Sequence, residues 1–255
     1  MLTERDRQKT DNVAATGPGL PSAAMKLHVR EWGTGDRVAV LIHGMTSDST
    51  GWRRLGPDLA ARGYRVLAPD LRGHGLSGRG DYSPAAWADD LVESLPARPA
   101  LALGHSLGGM ALALAVERLQ PARAVYEDPA WLVPPDRHEE SARAFVARKA
   151  WSREDTAAEN PRWSAEDVDG KLIELERWDP ATVDGVLNGH VWDHTPAAPV
   201  VPSLVLLADP SQLVPPPAAE RLRAAGFEVR VVPGAGHSIH RDDYEAFVTS
   251  RTGWI

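Results

Sequence analysis

The chain has 255 residues, 43% of them hydrophobic and 25% charged, with a formal net charge of −7. That balance fits one soluble globular catalytic unit and excludes collagen, coiled coil and general disorder. The acidic excess speaks against nucleic acid as a partner, because such binding rests on Lys and Arg neutralising phosphates. The absence of cysteine excludes disulfides, thiolate catalysis and cysteine-ligated zinc.

In chain order, residues 1–24 are polar, lack the apolar stretch of a signal peptide and end near Gly17-Pro18-Gly19-Leu20-Pro21, so they read as a tail. No later segment offers the ~20 consecutive apolar residues of a membrane span; a cytoplasmic protein without a membrane partner is expected. Lys26 to Trp32 alternates and runs through Gly33-Thr34-Gly35-Asp36 into the next strand, which predicts an antiparallel hairpin at a sheet edge. Apolar runs follow at Val38 to Ile42, Arg65 to Pro69, Ala100 to Gly104, Ala124 to Glu127, Ser203 to Ala208 and Glu228 to Val232. Runs that are apolar rather than alternating are the mark of parallel strands covered on both faces. Helical patterns at Trp52 to Arg62, Pro84 to Leu95, Gly109 to Gln120 and Pro217 to Ala225 separate most of them, giving βαβ units. The alternation breaks once, over residues 130–199, where Trp131, Trp151, Trp163, Trp178 and Trp192 occur without a clear strand. This predicts a helical cap at 130–199 inserted into a sheet domain made of 25–129 and 200–255.

Gly104-His105-Ser106-Leu107-Gly108 fits G-x-S-x-G with a strand before it and a helix after it. A serine on so sharp a turn has strained backbone, and glycines two places either side let strand and helix approach. Ser106 is therefore the candidate nucleophile. The Leu107 N–H at the helix start and the Met45 N–H, after His43-Gly44 at the end of a strand, are the candidate oxyanion donors. The base is expected far downstream, and His237, in Pro233-Gly234-Ala235-Gly236-His237-Ser238 after the last strand, is the best placed of the nine histidines. His240, three residues on, is the alternative.

Through His43-Gly44, Asp70-Leu71-Arg72-Gly73-His74-Gly75-Leu76-Ser77, Gly104-His105-Ser106-Leu107-Gly108-Gly109 and Gly236-His237, the chain resembles the α/β-hydrolase superfamily from about Lys26 to Ile255. The resemblance implies a mostly parallel sheet of about eight strands with helices on both faces, a Ser-acid-His triad, a cap after the family's sixth strand and no cofactor. One position departs from the pattern. Where similar proteins carry the acid after their seventh strand, this chain has Ser211, just ahead of Leu213-Val214-Pro215. A minority place the acid after the sixth strand, where Glu127-Asp128-Pro129 lies; Asp128 matches best, with Asp209 and Glu127 as alternatives.

Gly73-His74-Gly75-Leu76-Ser77-Gly78 matches a dinucleotide fingerprint only formally, since no apolar helix follows. The i, i+4 pair His190 and His194 lacks the other ligands a metal site needs, so no metal is expected. The cap tryptophans Trp131, Trp163 and Trp178, with His43 and His105 flanking the serine, are candidate pocket lining. The sequence reading is a monomeric or homodimeric serine hydrolase of a fairly hydrophobic small-molecule ester or lactone. A thioesterase, an amidase, a carbon-carbon bond hydrolase and a slow-turnover ligand sensor on the same fold are the alternatives.

Overall fold

The computed structural model describes residues 23–132, 138–187 and 193–255; most of the predicted tail, and His190 and Trp192 of the predicted cap, lie outside the described residues. Seven strands, β1 (Val29–Trp32), β2 (Arg37–Ile42), β3 (Tyr64–Pro69), β4 (Leu101–His105), β5 (Ala124–Glu127), β6 (Ser203–Leu207) and β7 (Glu228–Val231), form one sheet ordered β1-β3-β2-β4-β5-β6-β7. Every pairing is parallel except that of β1 with β3. The strand pleat sends alternate residues to opposite faces. Val40 and Ile42 join Trp87 and Leu91 of α2 (Pro84–Ser94) and Met110 and Leu112 of α3 (Leu107–Leu119) on one face. Ala39 and Leu41 join Leu55 and Leu59 of α1 (Leu55–Ala61) and Phe247 of the last helix, Tyr244–Ser250, on the other. Each such Leu or Phe, fully buried, contributes about 1.5–3 kcal/mol, so this two-faced core holds the strand ends that carry the site.

Among the described residues the sheet has seven strands, in keeping with the expected mostly parallel sheet of about eight; one expectation is corrected, since β1 forms no hairpin with β2. It lies antiparallel against β3, with Val29 opposite Pro69. The linker from β1 to β2 crosses the start of β3 so closely that a Cβ on Gly35 would fall 2.0 Å from the Gly63 carbonyl oxygen. The glycines there serve this crossing rather than a tight two-residue turn.

After β3 the chain closes on itself. The Asp70 carboxylate accepts from the Ser49 and Leu76 amides, at 2.6 and 2.9 Å. Arg72 makes a buried two-pronged bond to Asp90 at 2.5 and 2.6 Å. The formal dinucleotide motif is thus part of a self-bonded turn, with the Gly73 amide donating to the Gly78 carbonyl.

Between β5 and β6 come α4 (His138–Ala147), α5 (Arg153–Glu159), α6 (Ala165–Arg177) and α7 (Thr182–Leu187). Ser152 and Ser164 cap α5 and α6 by accepting from amides three residues on. Leu132 and Asp193 bridge where the chain leaves and re-enters the sheet domain. The insertion is bound to that domain by polar contacts: Arg53 to Asp167 at 2.5 Å, Tyr82 to Asp179 at 2.7 Å, Trp163 to Asp242 at 3.0 Å, and Arg162 to the Gly234 carbonyl. Among the described residues, no helix is long and apolar enough to cross a membrane.

Candidate active site

Ser106 stands between β4 and α3 with φ 50° and ψ −114°, a conformation that costs about 1–3 kcal/mol for a residue with a side chain. The turn is held from several sides. The Ser106 amide donates to the Glu127 carbonyl at 2.9 Å, and the Ser106 carbonyl accepts from the amides of Met110 and Ala130, each at 3.1 Å. A Cβ on Gly104 would come 2.4 Å from the Gly108 carbonyl oxygen, and one on Gly108 would come 2.4 Å from that of Ile42. Both glycines are therefore demanded by contact.

Asp128, at the end of the neighbouring strand, is also held at positive φ, 38°. Its carboxylate is buried and lies 2.7 Å from Nδ1 of His237. A carboxylate there accepts the Nδ1 proton, which leaves Nε2 as the basic nitrogen. The second Asp128 oxygen accepts from the Ala208 amide at 3.3 Å. The other two acid candidates are engaged elsewhere. Asp209 accepts from the Gly234 amide at 3.1 Å and so braces the loop before His237. Glu127 accepts from the amide of His240 at 2.9 Å and meets its Nδ1 at 2.8 Å. Ser211, where the usual acid would stand, accepts from the Val214 amide at 2.9 Å and only closes a turn.

The backbone after β2 passes directly over the serine, since a Cβ on Gly44 would be 3.1 Å from Cβ of Ser106. Neither the Met45 nor the Leu107 amide donates a hydrogen bond among the described residues. Two unengaged N–H groups beside a strained serine are what an oxyanion hole requires. The Ser106 hydroxyl forms no hydrogen bond to His237 among the described residues; such contacts characteristically tighten when substrate binds.

The family model described as "Alpha/beta hydrolase family" matches residues 39–250. The chain belongs to the α/β-hydrolase family. A solved E-2-(acetamidomethylene)succinate hydrolase is similar to it with a TM-score of 0.76 and 25% identity, over 89% of this chain and 94% of that one. An N-formylmaleamic acid deformylase of Pseudomonas putida S16 gives 0.74 and 25%, over 89% and 96%. Among curated relatives, a non-heme chloroperoxidase of Streptomyces lividans is 33% identical over 125 residues, 47% of this chain and 45% of that protein. Methylesterase 3 of Arabidopsis thaliana is 31% identical over 124 residues, 46% and 47% of the two. The chain spans less than half the length of these curated relatives.

Within this α/β-hydrolase the other singled-out residues have definite structural positions. His43 is buried, and its Nε2 accepts from the Leu71 amide at 2.9 Å while Nδ1 meets the Gly44 carbonyl at 2.8 Å. It is neutral with the proton on Nδ1, and both nitrogens clasp backbone. His105 meets the His237 carbonyl through Nε2 at 3.0 Å. A carbonyl can only accept, so His105 donates; burial first, then neighbouring His237 and His240, holds its pKa well below the ordinary imidazole range. Trp131 donates to the Gly109 carbonyl at 3.2 Å and packs on Tyr126 and Phe227. Trp178 is fully buried and donates to the Thr182 hydroxyl at 2.7 Å. Trp163 lies under the Arg241 guanidinium, 4.7 Å from its ring centre. A cavity of about 360 Å³ between α6 and the β1 edge is lined by Arg30, Trp32, Arg53, Glu174 and Arg177 and by none of the triad candidates.

Sequence reasoning missed a buried polar cluster beside the loop that follows β2. Lys171 donates to the Thr46 carbonyl at 2.6 Å and to its hydroxyl at 2.8 Å. Glu174 bonds Arg241 at 2.5 Å, and Arg241 also donates to the Ser47 hydroxyl at 3.2 Å. Burial draws the Lys171 ammonium down to about 7, with Arg241 and Arg148 acting in the same direction and Glu174 opposing them. One signal was available: Val168, Lys171 and Leu175 fall on the buried stripe of α6, where a lysine is out of place.

Proposed function

We propose that this α/β-hydrolase cleaves a carboxylic ester or lactone of a fairly hydrophobic small molecule through an acyl-serine intermediate. The observation that carries the reading is the buried Asp128 carboxylate 2.7 Å from Nδ1 of His237, at the strand end next to the strained Ser106. In this mechanism the Ser106 oxygen attacks the carbonyl while Nε2 of His237 takes its proton. The imidazolium is stabilised by Asp128, and the carbonyl oxygen, now negative, is held by the Met45 and Leu107 amides. Collapse expels the alcohol, to which His237 returns the proton. Water activated by the same nitrogen then attacks the acyl group and frees Ser106. The His237 side chain is 45% exposed, so that water has a short path. A carboxylate at the elbow would suit an epoxide hydrolase instead; Ser106 favours acyl transfer.

The similar structures named as a deformylase and as a hydrolase of an acetamidomethylene succinate support including formyl and acetamido acids among the test substrates. The insertion of residues 130–199 is read as the specificity-setting cap, and the protein as a monomer or homodimer. The experiment is a panel of short-chain p-nitrophenyl esters, lactones, thioesters and N-acyl acids, run with Ser106→Ala in parallel. Many turnovers on an ester or lactone, lost in Ser106→Ala, are expected. A single event per molecule would replace the enzyme reading with that of a ligand sensor.

A further inference from the structure

Thr46 is a β-branched residue held at φ 63°, where such a side chain is a true outlier. It directly follows Met45, a proposed oxyanion donor, and nothing in the residue's own preferences keeps it there. Strained backbone of this kind persists only where its surroundings over-determine it. Three groups do so. His43 clasps the Gly44 carbonyl on one side. Arg241 donates to the Ser47 hydroxyl on the other. Lys171, from α6 of the insertion, grips Thr46 itself through both its carbonyl and its hydroxyl. The lysine is 7% exposed and lies 3.5 Å from Glu174, which Arg241 holds in turn.

Resting on the triad reading above, we infer that Lys171 is a positioning residue: by gripping Thr46 it holds the oxyanion loop in its strained form and makes assembly of the Met45 donor depend on docking of α6. The insertion then does more than cover the serine. When α6 is docked the loop is cocked toward Ser106, and when α6 leaves, Thr46 relaxes and the donor swings away. Removing one oxyanion donor costs about 10²–10³ in kcat, and displacing one by an ångström costs up to about 10². Oxyanion contacts form in the transition state, so the loss should fall on kcat and not on KM.

The test compares the full-length protein with Lys171→Met, Thr46→Gly and the double variant. It reads amide exchange over residues 43–48 by mass spectrometry, and kcat and KM on p-nitrophenyl acetate. Methionine keeps the length of the side chain and leaves Glu174 paired with Arg241. Glycine takes positive φ without strain, so it removes the need for the grip. The expected result is that Lys171→Met raises exchange over 43–48 at least tenfold, with the β4 and β5 amides unchanged, and lowers kcat about 10- to 100-fold with KM within threefold. In the Thr46→Gly background the same change should lower kcat less than threefold, a rescue that a purely structural lysine would not permit. Equal losses in both backgrounds, or faster loop exchange with kcat intact, would overturn the inference. If the parent turns over no ester, the proposed activity fails, yet the exchange arm still decides the grip. A rise confined to residues 43–48 upholds it, and no rise overturns it.

Discussion

Asp128→Asn is the change whose consequence the geometry defines most sharply. The carboxylate oxygen 2.7 Å from Nδ1 of His237 can only accept, so the ring proton sits on Nδ1 and the lone pair faces outward on Nε2. An asparagine in the same place presents either a weaker neutral oxygen or an amide N–H. In the second case the imidazole must move its proton to Nε2 and can no longer accept from Ser106. The imidazolium formed in the transition state also loses its buried counter-charge. The amide replacement of a triad acid costs about 10⁴ in kcat, equivalent to about 5 kcal/mol of barrier. Folding should survive. With its N–H toward His237, the new side-chain amide still offers its oxygen to the Ala208 amide, and the bond from the residue's own amide to the Leu206 carbonyl, 2.8 Å long, belongs to the backbone. The assay is steady-state hydrolysis of p-nitrophenyl acetate, with circular dichroism as the folding control. Asp209→Asn, which changes the acceptor of the Gly234 loop amide, should keep at least a third of the wild-type kcat. An Asp128→Asn enzyme retaining more than a tenth of wild-type kcat, or an Asp209→Asn enzyme that loses activity instead, would show that Asp128 is not the acid of the triad.

His237→Ala should abolish steady turnover. His240→Gln should retain it while lowering stability by about 1–3 kcal/mol, since it disturbs the buried bond to Glu127; urea unfolding beside esterase assays separates the two effects. His74 and His105 are both buried, and burial first holds each well below the ordinary imidazole pKa. The unfolded chain takes up these protons near pH 6.5 and the folded one does not, so stability is complete above that pH and falls below it. The slope is about 1.4 kcal/mol per pH unit for each histidine. Denaturant midpoints from pH 7 to 5 should show this, and His74→Gln should flatten the slope; an unchanged slope would deny that His74 is buried neutral. Trp178→Ala removes a fully buried ring and should cost about 3–5 kcal/mol of stability with similar activity losses on large and small esters. A loss confined to large esters would make Trp178 pocket lining instead of core.

The sheet was legible because buried parallel strands advertise themselves as apolar runs: β5 lies at Ala124–Glu127 as the sequence predicts, and β4 and β6 differ at their ends by one residue. The partner of β1 was not legible, since an alternating edge strand followed by glycines looks alike whether it turns back on β2 or crosses to β3. The elbow could be read because its glycines stand at fixed offsets from the serine between a strand and a helix, although the contact that demands Gly108 comes from Ile42, far away in sequence. The paired carboxylates Glu127 and Asp128 illustrate what a string of residues withholds. Successive side chains at a strand end point to opposite sides, so one meets His240 and the other His237, and only the fold says which. The grip of Lys171 on Thr46 spans 125 positions; its sole local trace is a lysine at helical spacing between Val168 and Leu175 on the buried face of α6.

Covalent labelling shows at once whether Ser106 is a nucleophile activated by its setting. The native protein is treated with a fluorophosphonate probe at neutral pH, digested, and the modified residue located by mass spectrometry. Stoichiometric modification is expected at Ser106, slowed at least a hundredfold in His237→Ala and absent after denaturation. Turnover of an ester with no adduct on Ser106, or an adduct on another serine, would contradict this role of Ser106.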